Sequence, residues 1–465
     1  MSYDLKWLDG LVATNGPKYL AIADAIENAV ENGLLEPGQR LPPHRTLCQT
    51  LAVDVTTVTR AYGEVKRRGL TTAEVGRGTF IRSRKSDAPS SLMQPSAPNG
   101  FIDLSHNFPA TAPVNPLVRL LLERMKDEAR SAEMLGLQAD IGHFSHREAI
   151  TNWLNSSELN VSPNELVITS GAQHGVLLAI HAVTKHNEVM LCESVTFYGA
   201  LAAAKFLGRR FHPVDIDSEG ILPHCLDDAF RVTAARTLYC MPTLHNPTAA
   251  TMSRERREMI VAVCRKHDAT IIEDDVYGFM IQPHMKTLCS LAPERTLYVS
   301  SFSKIVGPGL RVGFVRAPRH LIPRIGAGLR ATNLMAPAQM VELVCQTLRT
   351  DEMSKLVAAK IKQVRDRQKW AVDVLKNCDY NSHPSSFHVW LKIGDWQSEA
   401  FAAAARERDV GVSPGALFTV NPDAKDNGAV RLCVSAASDK MQLQTALKIL
   451  TDLVAEGPSA SRAIV

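Results

Sequence analysis

The stretch SSFSKIVGPGLRVGF, residues 300–314, decides how this chain is interpreted. It follows the largely apolar run RTLYV, residues 295–299, which has the pattern of a buried β-strand. Lys304 comes soon after that strand, a Gly-Pro-Gly turn follows at 307–309, and Arg311 stands seven residues beyond the lysine. Two interpretations are open: a polar loop with a solvated lysine, or an anion pocket whose lysine does covalent chemistry. The rest of the chain is needed to choose between them.

Length and composition describe a globular protein of several domains. The 465 residues predict two or three domains, and 45% hydrophobic with 22% charged residues is typical of soluble proteins. No apolar run reaches the roughly 20 residues of a membrane helix, and the first ten residues lack the basic-then-apolar order of a signal peptide. The nine cysteines are scattered, without a CxxC pair or zinc-like spacing. We therefore expect a cytoplasmic protein with reduced thiols, no metal site and no membrane partner.

A change of composition divides the chain. The segment RSRKSDAPSSLMQPSAPN, residues 82–99, is rich in serine, proline and basic residues, which is typical of an exposed linker. It predicts a first domain over 1–82, a linker over 83–100 and a second domain over 101–465. Within the second domain we expect a large part over about 115–345 and a small C-terminal α+β part over about 346–465.

The first domain has the pattern of a winged helix-turn-helix. A helical stripe covers Tyr19–Asn32, a short helix fits His44–Leu51, and Thr56–Arg67 places its apolar residues on one face. Residues 70–83 read as a β-hairpin, the wing, and residues 44–85 carry nine Lys or Arg against three acids. The helices alone fit a small packing module equally well. The wing and the basic excess favour binding of DNA, with the second helix in the major groove.

Residues 37–81, PGQRLPPHRTLCQTLAVDVTTVTRAYGEVKRRGLTTAEVGRGTFI, resemble the winged helix-turn-helix of the GntR family of bacterial regulators. The resemblance implies a double-stranded DNA operator as partner. It implies contacts from the arginine after the LP pair, the start of the recognition helix and the tip of the wing: Arg45, Thr56, Thr57, Arg60, Arg77 and Gly78. The chain departs from the family at Asp54 and Val55, where a small hydroxyl residue and an arginine are usual. An acid at this place repels phosphate.

Several strand-like runs of the second domain end in polar groups. The pairs are ELVIT with SGAQHG (170–175), EVMLC with ESVTFYG (193–199), TLYCMP with TLHNPT (243–248), ATII with EDDVYG (273–278), and TLYVS with SFSK (301–304). Helix-length segments separate the runs, which predicts a mainly parallel sheet with helices on both faces and a ligand crevice beyond the strand ends. Each group also has a simpler reading, since SGAQHG and HNPT fit ordinary turns and EDD fits a Mg²⁺ site.

The joint occurrence of these groups fits pyridoxal 5'-phosphate. A lysine amine can form a Schiff base with its aldehyde, a carboxylate can keep its ring nitrogen protonated, and cations with backbone N–H groups can hold its phosphate. From Phe101 onward the sequence resembles the fold-type I, class I/II aminotransferase-like enzymes. The whole chain resembles the MocR subgroup of GntR regulators, in which such a domain replaces the usual effector domain. The implied fold class is α/β, with a winged helix-turn-helix in front.

The resemblance implies a role for each pocket residue. Lys304 would carry the cofactor and Asp274 would bind its ring nitrogen, so these two are the predicted catalytic residues. Arg431 stands where the family clasps a substrate α-carboxylate, although a surface arginine on a strand is the alternative. The other predicted residues would bond the ring hydroxyl, stack on the ring or grip the phosphate: Asn246 and Tyr277; Phe197; and Gly171, Ala172, Ser301, Ser303 and Arg311.

The predicted function is a transcriptional regulator that senses a small amine or amino acid by Schiff-base exchange at Lys304. A working aminotransferase with a secondary DNA-binding domain is the alternative, and a structural DNA-binding protein with an empty pocket is a third. Ala172 stands where a hydroxyl donor is common, and Leu137 where a tyrosine often reaches the partner's phosphate, which disfavours fast turnover more than cofactor binding. The resemblance also implies a homodimer, head-to-tail in this subgroup.

Overall fold

The computed structural model describes residues 7, 17–36, 38–67, 70–74, 78–81, 100–108, 134–157, 159–421 and 428–460. The chain forms two compact units, one on each side of residue 94. The predicted linker 83–100 lies outside the described residues except for Gly100, and so does Arg77. The linker, the domain boundaries and a DNA contact at Arg77 therefore stay predictions.

The described residues of the first unit form three helices: α1 Lys18–Glu31, α2 His44–Leu51 and α3 Val55–Arg67. The apolar stripes of α1 and α3 are buried and belong to one hydrophobic cluster, because their apolar residues recur at helical spacing. A residue in the left-handed conformation, Ala52 with φ 49°, ends α2 and allows the tight turn into α3. The predicted helix-turn-helix is confirmed.

The wing is an antiparallel hairpin of two strands, β1 Thr71–Glu74 and β2 Gly78–Ile81. A third segment lies beside it, since Arg40 forms an isolated antiparallel bridge with Phe80. Backbone hydrogen bonds of 2.8–2.9 Å join this segment to β2 on both sides of the bridge. The segment before α2 therefore holds the wing against the helices.

The second unit alternates strands and helices. Over the residues that the structure describes, its helices are α4 Phe144–Asn155, α5 Ala172–Val183, α6 Tyr198–Phe206, α7 Pro223–Thr233, α8 Arg254–Lys266, α9 Leu288–Leu291, α10 Ile322–Thr332, α11 Ala338–Leu348, α12 Glu352–Leu375, α13 Ser398–Glu407 and α14 Lys440–Ala460. Its strands are β3 Ile102–Asp103, β4 Leu166–Thr169, β5 Val189–Glu193, β6 Arg210–Val214, β7 Ile216–Asp217, β8 Gly220–Ile221, β9 Thr237–Cys240, β10 Thr270–Asp274, β11 Thr296–Ser301, β12 Gly313–Arg316, β13 Tyr380–Asn381, β14 Val389–Lys392, β15 Val410–Gly411, β16 Ser413–Pro414 and β17 Ala429–Leu432. No helix of the described residues is both long and apolar enough to cross a membrane.

Seven strands form the central sheet, in the order β4-β12-β11-β10-β9-β5-β6. All neighbours pair in parallel except β12, which runs antiparallel to β4 and β11. Successive residues of one strand enter different hydrophobic clusters, as Ile271 and Ile272 of β10 show. Such alternation places apolar layers on both faces of the sheet, and the predicted mainly parallel α/β sheet is confirmed.

A smaller antiparallel sheet, in the order β13-β14-β17-β16, forms with α13 and α14 a second core towards the C-terminus. The helix α12 serves both cores, because Val364 packs in the first and Ala371 in the second. The strand β3, at the start of the second unit, pairs in parallel with β15 of this C-terminal part. The strand β3 therefore belongs structurally with the C-terminal part of the second unit, far along the chain.

Candidate functional site

One cavity gathers the predicted pocket residues, all of them except Gly171. It lies at the carboxyl ends of the central strands, where a parallel sheet is expected to bind its ligand. The predicted residues that line it are Ala172, Phe197, Asn246, Asp274, Tyr277, Ser301, Ser303, Lys304, Arg311 and Arg431. The residues that the sequence did not single out are Asn107, Phe108, Gln173, Tyr198, Met241 and Val276.

Lys304 lies just beyond β11, where the sequence placed it, and is half-buried. Its Nζ donates a hydrogen bond to the backbone carbonyl of Asn107 and lies 4.3 Å from the centre of the Phe108 ring. Burial lowers the pKa of this amine to about 8, since the charged form is costly to desolvate. A solvated loop lysine is therefore the wrong interpretation of the opening stretch.

Asp274 ends β10 and is 1% exposed. Its Oδ2 accepts a hydrogen bond of 2.8 Å from the hydroxyl of Tyr239, whereas its Oδ1 has no partner. Burial, reinforced by the neighbouring Asp275, raises the pKa of Asp274 to about 7. A buried carboxylate oxygen without a partner is costly, so this position fits a ligand atom that carries a proton or a positive charge.

The start of α5 and the arginine of the opening stretch form one end of the cavity. Gly171 has φ 85°, and a Cβ on it would lie 2.7 Å from Nη2 of Arg311. A Cβ on Gly313 would likewise lie 2.6 Å from the backbone carbon of Gly171, so both glycines permit this close approach. The hydroxyl of Ser303 is buried nearby in the lining and has no partner. Free N–H groups at a helix start, a guanidinium and an unpaired hydroxyl suit an anion such as phosphate.

Asn246 and Tyr277 line the cavity and are both buried. The side-chain oxygen of Asn246 accepts a hydrogen bond of 2.9 Å from Nη1 of Arg431. The hydroxyl of Tyr277 accepts one of 2.7 Å from the side-chain amide of Asn107. The structure thus brings the two residues together in the pocket, and a role at a ring hydroxyl stays a prediction.

Arg431 lies in β17 and is 1% exposed, so the alternative of a surface arginine is wrong. Its guanidinium donates to the backbone oxygen of Ser105 at 2.6 Å and to the hydroxyl of Ser413 at 3.1 Å, besides Asn246. It also lies 4.9 Å from the ring centre of Phe418, while its Nε has no partner. These hydrogen-bond acceptors are all uncharged, which leaves the guanidinium fit for a carboxylate.

The EDD group does not form a metal site. Glu273 accepts hydrogen bonds from the backbone N–H groups of Leu288 and Cys289, and Asp275 accepts one from the hydroxyl of Tyr298. Only Asp274 of the three carboxylates lines the cavity. Among the described side chains, no group of three or more His, Cys, Asp or Glu residues could hold a metal ion.

The predicted DNA contacts that the structure describes lie on the first unit. Arg45, Thr56 and Arg60 are exposed, and Thr57 is half-buried. The guanidinium carbon of Arg60 lies 5.7 Å from the ring centre of Tyr19, which leaves its edge available to solvent. The helix α3 therefore presents polar and basic groups outward, as predicted.

Two features of this surface were not expected from the sequence. Asp54 caps α3, because its Oδ1 accepts hydrogen bonds from the backbone N–H and the hydroxyl of Thr56 at 2.8 and 2.7 Å. These bonds hold the pKa of Asp54 below its usual value. Arg40 lies against the wing, since a Cβ on Gly78 would be 2.6 Å from its Nε. A cation therefore stands next to a predicted DNA contact.

Comparison with known protein families agrees with both halves of this geometry. The model of the family "Aminotransferase class I and II" matches residues 99–450. The chain belongs to this family. The model "Bacterial regulatory proteins, gntR family" matches residues 18–81. This class I and II aminotransferase domain is therefore joined to a GntR helix-turn-helix, which is the MocR-like architecture that the sequence predicted.

The similar proteins of known sequence include bacterial HTH-type transcriptional regulators. The uncharacterized HTH-type transcriptional regulator YdeF of Bacillus subtilis is 25% identical over 462 residues, 97% of this chain and 98% of that protein. The uncharacterized HTH-type transcriptional regulator YjiR of Escherichia coli is 28% identical over 329 residues, 65% of this chain and 70% of that protein. The chain is thus similar to transcriptional regulators that contain an aminotransferase-like domain.

Solved structures of aminotransferases have the fold of the second unit. LysN, an α-aminoadipate aminotransferase from Thermus thermophilus complexed with N-(5'-phosphopyridoxyl)-L-leucine, matches with a TM-score of 0.71 at 22% identity, over 77% of this chain and 92% of that one. An archaeal alanine:glyoxylate aminotransferase matches with a TM-score of 0.71 at 24% identity, over 77% and 91%. Aminotransferases of this class and fold are pyridoxal-phosphate-dependent.

Proposed function

We propose that this protein binds a double-stranded DNA operator and senses a small amine or amino acid by Schiff-base exchange at Lys304 in a pyridoxal-phosphate pocket. The observation that carries the proposal is a pair of buried atoms, Asp274 Oδ1 and Ser303 Oγ, that lack hydrogen-bond partners in the cavity that Lys304 also lines. Unpaired buried polar atoms are costly unless a ligand satisfies them. The protonated ring nitrogen of pyridoxal phosphate could satisfy the carboxylate oxygen, and its phosphate could accept a hydrogen bond from the Ser303 hydroxyl.

The residues of the pocket fit the cofactor group by group. Lys304 would bind it covalently, and Asp274 would hold the proton on its ring nitrogen. Bound there, the cofactor supplies an aldehyde that takes up amines and a ring that accepts electrons. The remaining contacts would bond the ring hydroxyl, stack on the ring or hold the phosphate: Asn246 and Tyr277; Phe197; and the Gly171 and Ala172 backbone with Ser301, Ser303 and Arg311.

Arg431 would bind the carboxylate of an amino-acid effector. Its present acceptors, Ser105, Ser413 and Asn246, are uncharged, so a carboxylate can replace them without breaking an ion pair. An ionised acceptor forms a shorter and stronger bond with a guanidinium than a neutral one does. The effector's amine would then be directed towards Lys304 in the same cavity.

The first unit would bind the operator with the exposed start of α3 and the wing. Arg45, Thr56, Thr57, Arg60 and the Gly78 tip are the expected contacts, with Arg77 beside them. Arg40 is a further candidate, because its guanidinium lies against Gly78. Fold-type I aminotransferases are commonly dimeric, and we propose a head-to-tail homodimer that acts in the cytoplasm.

Two measurements test the proposal. The purified protein should show the visible absorption band of bound pyridoxal phosphate, and one member of a panel of amines and amino acids should shift it. The same ligand should change the affinity for an operator isolated by selection from random double-stranded DNA. If the protein binds DNA but shows no band after addition of the cofactor, the proposal is wrong and the protein is a structural DNA-binding protein with an empty pocket.

An active aminotransferase is the second candidate function. The Lys304 amine favours it, because a pKa of about 8 leaves part of that amine uncharged near neutral pH, as a catalytic base requires. Steady conversion of an amino acid and a keto acid at catalytic amounts of protein would support this candidate. A single stoichiometric response, which ends when every pocket is occupied, would support the sensor.

A further inference from the structure

Burial lowers the pKa of the Lys304 amine, but three groups next to the amine oppose that effect and favour its protonated form. The backbone oxygen of Asn107 accepts a hydrogen bond from Nζ, and the Phe108 ring centre lies 4.3 Å away. The ring of Tyr277 is also near, with its centre at 5.8 Å. A carbonyl oxygen and the faces of aromatic rings all attract an ammonium group. These three groups favour an ammonium at this position.

These groups belong to a segment that is itself firmly attached. We name residues 102–108 the strap; it follows the predicted linker along the chain. Its strand β3 pairs with β15. The backbone N–H of Leu104 donates to the carbonyl of Gly411, and the carbonyl of Leu104 accepts from the N–H of Cys433, both at 2.8 Å. The strap is therefore fixed to the C-terminal part of the second unit, while its far end reaches Lys304.

The side chain of Asn107 fixes that far end. It is 6% exposed, and its amide donates to the hydroxyl of Tyr277 at 2.7 Å and lies 3.2 Å from Nδ1 of His388. Its oxygen accepts a hydrogen bond of 3.3 Å from the thiol of Cys433. With three partners on the side chain, the backbone oxygen that faces Lys304 has little freedom to move.

We propose that Asn107 and Phe108 form a holding site for the free amine of Lys304, which keeps the pocket in the ligand-bound state and suppresses turnover. The proposal rests on the proposed function, since it concerns the lysine after an effector has taken its place. Asn107 and Phe108 are positioning residues in this view. They act on the ligand only through Lys304.

The chemical reason lies in the proton balance. Conversion of a bound amino acid requires a base that takes the proton from its α-carbon, and an uncharged Lys304 amine is suited to that task. An ammonium held by Asn107 and Phe108 has no lone pair to accept this proton. Asp274 and Cys433 also favour the ammonium, whereas burial, Arg431 and Arg311 oppose it. The holding site adds to the groups that favour the ammonium, and so lowers the fraction of Lys304 that is uncharged and able to act as a base.

The first test uses cofactor-free protein and needs no effector. Phe108→Leu keeps apolar bulk but removes the ring face, so the pKa of Lys304 should fall by about half a unit to one unit. The pH dependence of Lys304 acetylation by acetic anhydride, read by mass spectrometry, measures that pKa. Phe144→Leu is the matched control, since it removes a ring 5.5 Å from Arg147 outside the pocket lining. An unchanged Lys304 pKa in folded Phe108→Leu would overturn the holding site.

The second test uses cofactor-loaded protein with a panel of amino acids. At a pH well below the pKa, the uncharged fraction of an amine rises about tenfold for each unit by which the pKa falls, so Phe108→Leu should form keto acid about three to ten times faster than the wild type. Asn107→Ala should act in the same direction by releasing the backbone oxygen. Keto-acid formation that stays at the wild-type rate, despite a lowered Lys304 pKa, would refute the suppression of turnover.

The two tests separate this proposal from the proposed function. If the wild-type protein never shows a cofactor band, the sensor function fails, yet acetylation still decides whether Asn107 and Phe108 hold the amine. If the band and operator binding are present and Phe108→Leu changes no pKa, only the holding site fails. Phe108 is half-buried, so the leucine variant is expected to fold even where Asn107→Ala does not.

Discussion

In the first unit, the charged side chains expected to meet DNA are exposed, whereas in the second unit Asp274 and Arg431 are each 1% exposed. Exposed charges act by long-range attraction that salt weakens. Buried groups acquire shifted pKa values and unpaired atoms, which only a matching ligand satisfies. The comparison teaches that the two units should respond to different perturbations: the first to salt and single charges, the second to protonation and to cofactor.

The largest effect is expected from Lys304→Ala, which should remove a function of the second unit and leave DNA binding by the first unit intact. Lys304→Ala should abolish the visible cofactor band and the response to effector, because no other pocket amine is predicted to bind the aldehyde. Operator affinity should stay within about twofold of the wild type. Lys360→Ala is the control, since this half-buried lysine also has a lowered pKa but lies outside the pocket lining. A variant at Lys304 that still responds to effector in a reporter assay would contradict the proposed mechanism.

Asp274 should determine how tightly the cofactor is held. Asp274→Asn keeps the shape but removes the charge that holds a ring proton, so affinity for pyridoxal phosphate should fall at least about tenfold. Fluorescence titration of cofactor-free protein measures the loss. Asp275→Asn changes an equally buried neighbour that bonds Tyr298 and does not line the cavity. Equal losses in the two variants would show that general burial, and not the pocket contact, is responsible.

The same residue should make the stability of the cofactor-free protein depend on pH. The folded pKa of Asp274, about 7, lies above the ordinary aspartate value of about 3.9, so the folded state binds this proton more tightly. This tighter proton binding stabilises the folded state by a few kcal/mol at most. The stabilisation is complete below about pH 4 and is lost as the pH rises through 7. The thermal midpoint of Asp274→Asn minus that of the wild type should therefore increase from pH 5 to pH 8. Parallel midpoints across this range would contradict the shift.

Arg40 should contribute to operator binding through charge alone. Arg40→Ala should weaken binding similarly for all operator sequences and reduce the slope of log affinity against log salt by about one. Titration of labelled operator at several salt concentrations gives that slope. Arg319→Ala, an exposed arginine of the second unit, should leave it unchanged. An altered sequence preference without a change of slope would instead indicate a base contact.

Asp54 should show the smallest effects, and two substitutions separate its roles. Asparagine is also a good helix cap, so Asp54→Asn should keep the thermal midpoint of the first unit and strengthen operator binding a few-fold by removing a negative charge. Asp54→Ala removes the cap as well and should lower that midpoint by a few degrees. Unchanged operator affinity in Asp54→Asn would show that this acid is remote from phosphate.

The sequence was sufficient for features that local patterns determine. The buried strands are continuous apolar runs, so their ends, and with them Asp274 and Lys304, could be located before the structure was known. The helix cap formed by Asp54 also has a sequence signal, an acid just before the first helical residues. The resemblance to the GntR family concerned only the negative charge of this residue. Local pattern and spacing thus account for the pocket residues at the ends of the strands and for the helix-turn-helix.

The remaining features depend on pairing between distant segments. The strap reaches Lys304 only because β3, two residues long, pairs with β15 about 300 residues later, and so short a strand has no periodicity. The antiparallel strand β12 follows a turn whose direction the residue pattern does not encode. Arg40 reaches the wing through a single bridge to Phe80. Contacts of this kind follow from tertiary structure and are visible only there.

The unpaired oxygen of Asp274 also has a consequence for the amount of protein in a cell. A ligand that binds only the folded state raises its stability in proportion to the logarithm of its concentration. Chains that unfold more often are removed faster by proteases. Near neutral pH, chains without cofactor would carry a buried carboxylate with an unsatisfied oxygen and be degraded sooner than loaded ones. The supply of the cofactor would then influence how many copies of the protein persist, independently of any effector.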